Sequence, residues 1–185
     1  MSEAMWAFGR ISGVVALVLF TGSLILGILT RSGRPLPGLP RFSISLLHRN
    51  IALLSSIFLL LHVGSLMLDS YAKLSVVDVI VPFLGSFKPF WQGLGTVALD
   101  LIIAIVITSL FRKQLGARLF KALHWLTYAM WPIALVHAIG NGTNGTSGWF
   151  LALAALCIVA VGSAVIWRVS PRFAESTAAR KAVTK

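Results

Sequence analysis

Apolar residues run along this chain in long unbroken stretches separated by short polar links. Five stretches stand out, at residues 5–30, 45–68, 91–111, 120–139 and 149–169. Each is roughly 20 residues, enough to cross a hydrocarbon layer about 30 Å thick as a helix. The links differ in character. Residues 31–43 read RSGRPLPGLPRFS, and their prolines stop any helix. Residues 112–119, RKQLGARL, form a short basic turn. Residues 140–148, GNGTNGTSG, read as a tight turn from two Asn-Gly pairs; the N-x-T matches at Asn141 and Asn144 are the weaker reading. Between Leu74 and Phe87 an apolar stretch is interrupted by Asp78, Pro82 and Gly85. It is too short and broken to cross alone, so an interfacial or re-entrant cap is expected. The pattern predicts an all-α chain: one domain over residues 1–185, an integral membrane helix bundle of about five transmembrane helices, with a basic tail at 170–185.

Composition supports that reading. Apolar residues make up 57% and charged residues 11%, with a mean hydropathy of +0.90, where a soluble domain carries about 25% charged residues. The net charge of +11 invites a nucleic-acid reading, but the cations lie in the links and form no basic face, so nucleic acid is excluded as a partner. They read instead as topology signals beside anionic lipid. With five spans, Arg31, Arg34, Arg41, Arg49, Arg112, Lys113, Arg118, Lys121, Arg168, Arg172, Arg180, Lys181 and Lys185 fall on one side. Only Arg10, Lys73 and Lys88 fall on the other. The basic side is cytoplasmic, which puts the N-terminus outside and the tail inside a plasma membrane. Trp6, Tyr71, Trp91 and Trp149 then mark the outer interface, and Trp125 and Trp167 the inner one. The N-terminal segment lacks a basic leader region and reads as a retained first helix. Cys157, the single cysteine, reads as a small core residue, with no internal disulfide or thiolate metal site.

All four histidines fall inside expected spans, where a polar ring is costly and points to function. His48 and His62 share the second span, and His124 and His137 the fourth. The two spans run in the same direction, so His48 matches His124 in depth and His62 matches His137. Within each span the histidines stand about 20 Å apart along the axis, too far for one metal ion. Two helices side by side offer instead one imidazole each at two levels. A flat iron macrocycle between them would take an axial ligand from each, giving two six-coordinate haems stacked across the bilayer. On an ideal helix a step of 14 residues returns to within about 40° of one face, but a step of 13 lands about 140° away. Pro132, between His124 and His137, is the expected kink that re-aims the second half of that helix.

The segments HRNIALLSSIFLLLHV and LHWLTYAMWPIALVHA resemble the paired-histidine helices of the ferric-reductase-like transmembrane domain, in a bacterial form. That family includes ferric reductases, NADPH oxidases and the haem subunits of bacterial methionine sulfoxide reductase systems. The likeness extends over about residues 5–168. It implies two haem b groups, with His48 paired to His124 and His62 to His137 as iron ligands. It implies a transmembrane di-haem cytochrome b that takes electrons from a cytoplasmic-side donor and delivers them to an outer-side acceptor. The chain departs from ferric reductases and NADPH oxidases in carrying no glycine-rich nucleotide motif and no NAD(P)H or FAD module. A separate flavin or quinol donor, and a separate outer acceptor or FMN-binding protein, are therefore expected. The alternative within the family is a quinol-oxidising haem subunit of a reductase complex. From another class, the alternative is a haem-free membrane assembly or transport subunit.

The remaining candidates are charged. Arg49 follows His48, Lys121 precedes His124 by three, and Arg10 lies near the outer end of the first span. All three are candidate contacts for haem propionates, with headgroup contact the competing reading for Arg49 and Lys121. Asp100 lies well inside the third span as an expected buried carboxylate, which either pairs with Arg10 or serves a proton route. Gly9-x-x-x-Gly13 offers a small-residue face for close helix approach.

Overall fold

The computed structural model describes residues 2–32, 40–69, 74–85, 87–173 and 175, and all regular structure among them is helical. Arg34, Tyr71, Lys73, Arg180, Lys181 and Lys185, and with them most of the basic tail, lie outside the described residues. The elements are α1 (Ser2–Ser32), α2 (Arg41–Leu68), α3 (Val76–Ile80), α4 (Pro89–Leu110), α5 (Arg112–His124), α6 (Thr127–Asn141) and α7 (Gly148–Val169). Four of these, α1, α2, α4 and α7, are long and apolar enough to cross a membrane. The pair α5 and α6 passes the same test together, bent by 46°, which makes five crossings if the pair counts as one.

The boundaries follow local chemistry. Pro40 caps α2 in an extended conformation (φ −67°, ψ 152°), so the second helix starts at Arg41 rather than at the expected 45. After α6 two successive i→i+3 turns, Gly145 N–H to Gly142 O and Ser147 N–H to Asn144 O, both 2.9 Å, make the tight turn expected of the Asn-Gly pairs. Residues 74–85 do not cross. Their only helix, α3, has five residues, about 7.5 Å of length, and is closed by a reciprocal cap between Ser75 and Asp78. The segment folds back on the first turns of α4. There Thr96 donates to the Asp78 carbonyl at 2.7 Å. Phe83, at φ 68°, lies where a Cβ on Gly93 would clash.

The fourth span departs from expectation. A continuous helix over 120–139 kinked at Pro132 is not found; the chain breaks between His124 and Thr127, while Pro132 sits inside α6. The cause is a local switch in hydrogen bonding. Leu126, Tyr128 and Ala129 donate to the carbonyls of Leu123, Trp125 and Leu126, three residues back, at 3.0–3.1 Å. This tight i→i+3 winding turns the axis at Trp125–Leu126 before the proline is reached.

Helix α1 packs along α2, α4 along α6, and α1 also contacts α6 and α7. The core lies where α1, α6 and α7 meet, around Leu17, Trp131, Leu135, Phe150, Ala154, Cys157 and Val161. A second cluster, Ile102, Ile105 and Met130, joins α4 to α6. Outward faces are apolar: Leu60 and Leu68 on α2, and Val159, Ile166 and Val169 on α7, are all more than 60% exposed. An apolar exterior over helices that satisfy their own backbone is what a bilayer solvates. One polar tie crosses the core, where Trp131 Nε1–H donates to Thr21 Oγ1 at 2.9 Å. Thr21→Val leaves that indole N–H without its acceptor, and unfolding in detergent should show a loss of about 0.6 kcal/mol and no more than about 1.7 kcal/mol, the average and the maximum found for hydrogen bonds between membrane helices.

Candidate functional site: two pairs of histidines

The break between α5 and α6 is what assembles the site. His124 ends α5 and His137 sits on α6, so the 46° bend rather than helical periodicity sets their relative aim. At one end of the bundle the His48 and His124 rings lie close together, with centroids 6.2 Å apart and planes nearly perpendicular at 85°. An imidazole nitrogen sits about 2 Å from a bound transition-metal ion, so two rings gripping one ion from opposite sides hold their centres roughly 6 Å apart. At the other end His62 and His137 line one cavity of about 620 Å³, within the size range of cofactor sites. Its walls are mostly apolar and include Leu17, Phe20, Leu59, Leu99 and Ile102. Among the described residues no three His, Cys, Asp or Glu side chains cluster as a metal site; the histidines work in twos.

Three of the four imidazoles are held in the same way. His48 Nδ1 lies 2.9 Å from the Ser23 carbonyl, His62 Nδ1 2.6 Å from the Gly9 carbonyl, and His137 Nδ1 2.7 Å from the Trp91 carbonyl. A carbonyl only accepts, so Nδ1 carries the proton and Nε2 keeps a free lone pair. That is the ligating tautomer, and a hydrogen bond at the far nitrogen also orients the ring and raises its basicity.

One turn beyond each carbonyl stands a glycine: Gly27 after Ser23, Gly13 after Gly9, and Gly95 after Trp91. Each meets the histidine its carbonyl holds. A Cβ on Gly13 would lie 2.8 Å from the His62 ring, and one on Gly27 would lie 3.3 Å from His48. One on Gly95 would collide with His137. The helix carbonyl and the bare α-carbon thus make a seat for each ring. On α1 the two seats are 14 residues apart, the same interval that separates His48 from His62 on the antiparallel α2. Gly9 also permits the close approach expected of it, since a Cβ there would come within 2.9 Å of Ser65 Oγ. None of the three seats was recognised in the sequence, which offered Gly9 and Gly13 only as a face for close helix approach, although the matched intervals on α1 and α2 were a readable signal.

His124 is different. Its Nδ1 is buried without a hydrogen-bond partner among the described residues. Its ring stacks on Phe120, one turn earlier, at 5.2 Å.

The charged candidates separate. Arg10 lines the His62/His137 cavity and stacks over Trp6 at 4.1 Å. Gln92 and Asn141, joined by a 3.0 Å hydrogen bond, line the same cavity. Arg49 and Lys121 are exposed near the other pair. The expectation for Asp100 fails: it is exposed, not buried, and forms no ion pair with Arg10. The helix surface explains this. The neighbours Leu99, Ile102 and Ile105 turn inward, which leaves position 100 on the opposite face of α4. A carboxylate facing lipid at that depth costs about 2.5–3.5 kcal/mol. A carboxylate that is buried, Asp69 at 2% exposure, caps the C-terminus of α2 seven residues beyond His62 and had drawn no attention in the sequence.

No curated protein and no solved structure matches the chain. A family model described as the ferric reductase like transmembrane component matches residues 12–135, about two thirds of the chain. The match takes in His48, His62 and His124 and ends two residues short of His137. The chain belongs to the ferric reductase like transmembrane component family, and is by that membership a membrane component of electron transfer.

Proposed function

We propose that this chain is a transmembrane di-haem cytochrome b, with one haem b between His48 and His124 and a second between His62 and His137. The observation that carries the reading is the seating of three imidazoles with Nε2 free, together with the 6.2 Å separation of the His48 and His124 rings. A bound haem supplies reversible one-electron chemistry at its iron. The chain's own residues do the rest. The carbonyls of Gly9, Ser23 and Trp91 fix tautomer and ring orientation. Gly13, Gly27 and Gly95 leave room for the rings. Leu17, Phe20, Leu59, Leu99 and Ile102 keep water from the second site. Arg10 offers that site a guanidinium for a propionate, and Arg49 and Lys121 offer cations to the first. Two levels about 20 Å apart divide a layer of about 30 Å into short gaps for electrons.

Direction follows from charge. Of the described cations, Arg31, Arg49, Arg112, Lys113, Arg118, Lys121, Arg168 and Arg172 belong to the His48/His124 end of the helices, against Arg10 and Lys88 at the other. That end is the cytoplasmic one in a plasma membrane. Electrons enter there from a separate flavin protein or quinol, and leave at the His62/His137 end to a separate outer acceptor, such as an FMN-binding protein.

Purified protein should carry two haems per chain with a bis-imidazole spectrum. Alanine at 48, 124, 62 or 137 should each lower the haem content to about half; unchanged pigment in all four variants would refute the ligand assignment. Gly13→Leu should strip the His62 level of pigment, whereas Gly22→Leu, with nothing within 4 Å of its Cβ, should retain both haems. Cys157 is buried, so single added cysteines report topology cleanly. A membrane-impermeant maleimide on intact cells should label Ser2→Cys and spare Lys185→Cys.

A further inference from the structure

Asp100 is the twelfth of the 22 residues of α4, about 16 Å from either end. Intramembrane carboxylates almost always face the interior of a bundle and pair there. This one is exposed, with no hydrogen bond or ion pair among the described residues. Below it on the same face lie Ile103 and Ile107, both exposed, and the small residues Ala104 and Thr108, half-buried. These positions follow Asp100 at steps of three, four, seven and eight, which makes one continuous stripe. Small residues beside a polar one are how membrane helices approach closely and bond to each other.

The chain leaves this stripe open. Helix α4 turns Ile102 and Ile105 toward Met130 of α6, away from this stripe, and α3 meets α4 at Thr96, one turn before Asp100. A second copy fits poorly. A two-fold pairing of parallel α4 helices sets two carboxylates at one depth, where like charges repel. Among the described residues Arg10 and Arg49 stand eight residues inside α1 and α2, and no cation stands at the midpoint of a span, so a copy brings none level with the middle of α4.

We propose that the Asp100 face of α4 docks a transmembrane helix of a separate subunit that carries a lysine or arginine near its midpoint. The carboxylate then acquires its partner from outside the chain, and Ala104 and Thr108 let the visiting helix come close.

The test uses the full chain in phosphatidylcholine vesicles with labelled 22-residue leucine–alanine transmembrane peptides bearing one central residue. A central position makes peptide orientation irrelevant. By energy transfer from a fluorophore on the chain, the central-Lys peptide should associate about tenfold more tightly than the central-Leu peptide. Asp100→Leu should abolish that preference with helix content unchanged by circular dichroism; Asp100→Asn, closer in size, should reduce it. Ile107→Trp should weaken association by crowding the stripe. Equal association of the two peptides with the native chain, or an undiminished preference in both Asp100 variants, overturns the proposal. So does an efficient disulfide between two copies of Ile103→Cys, which assigns the face to a second copy.

Discussion

The hydrogen bond from an imidazole Nδ1 to a main-chain carbonyl of the neighbouring helix is the contact around which this bundle is arranged. A histidine in hydrocarbon needs a partner, and a transmembrane helix has few to give, because its carbonyls are already engaged by its own N–H groups. Gly9, Ser23 and Trp91 each accept a second bond. They can do so because the residue one turn on is a glycine, whose missing side chain lets the ring reach the backbone. Helix spacing, ring tautomer and the direction of the free nitrogen all follow from that one arrangement.

Much of the fold was legible in the sequence because hydrophobic length is a blunt and reliable signal in membrane chains. The runs at residues 5–30, 45–68, 91–111 and 149–169 correspond to α1, α2, α4 and α7. The fourth span was legible only as a length. Its break depends on which carbonyl each amide chooses around Trp125, and no residue there announces i→i+3 winding as a proline announces a missing donor. Pro132 drew attention for a sound reason, yet it sits inside α6, and the axis turns earlier, at Trp125–Leu126.

The depth matching of the four histidines was readable from spacing and direction, and the 6.2 Å approach of His48 and His124 agrees with it. Their seats were less readable, since they lie on other helices and their signal is an interval shared by two segments rather than a motif in either. Asp100 shows the opposite failure. A carboxylate within an apolar run looks buried when burial is inferred from cost, but cost alone does not say which face of the helix a position occupies. Only the packing of α4 on α6 decides that.

The equal intervals on α1 and α2 carry a mechanical consequence. Sliding one helix along the other by a single residue would unseat both His48 and His62 at once, because both seats on α1 are spaced to match. The two helices are therefore clamped at two points and behave as one rigid strut. Any relative motion within the molecule, whether to admit a guest or to adapt to a thinner bilayer, falls to the α4–α6 half and to the bend at Trp125.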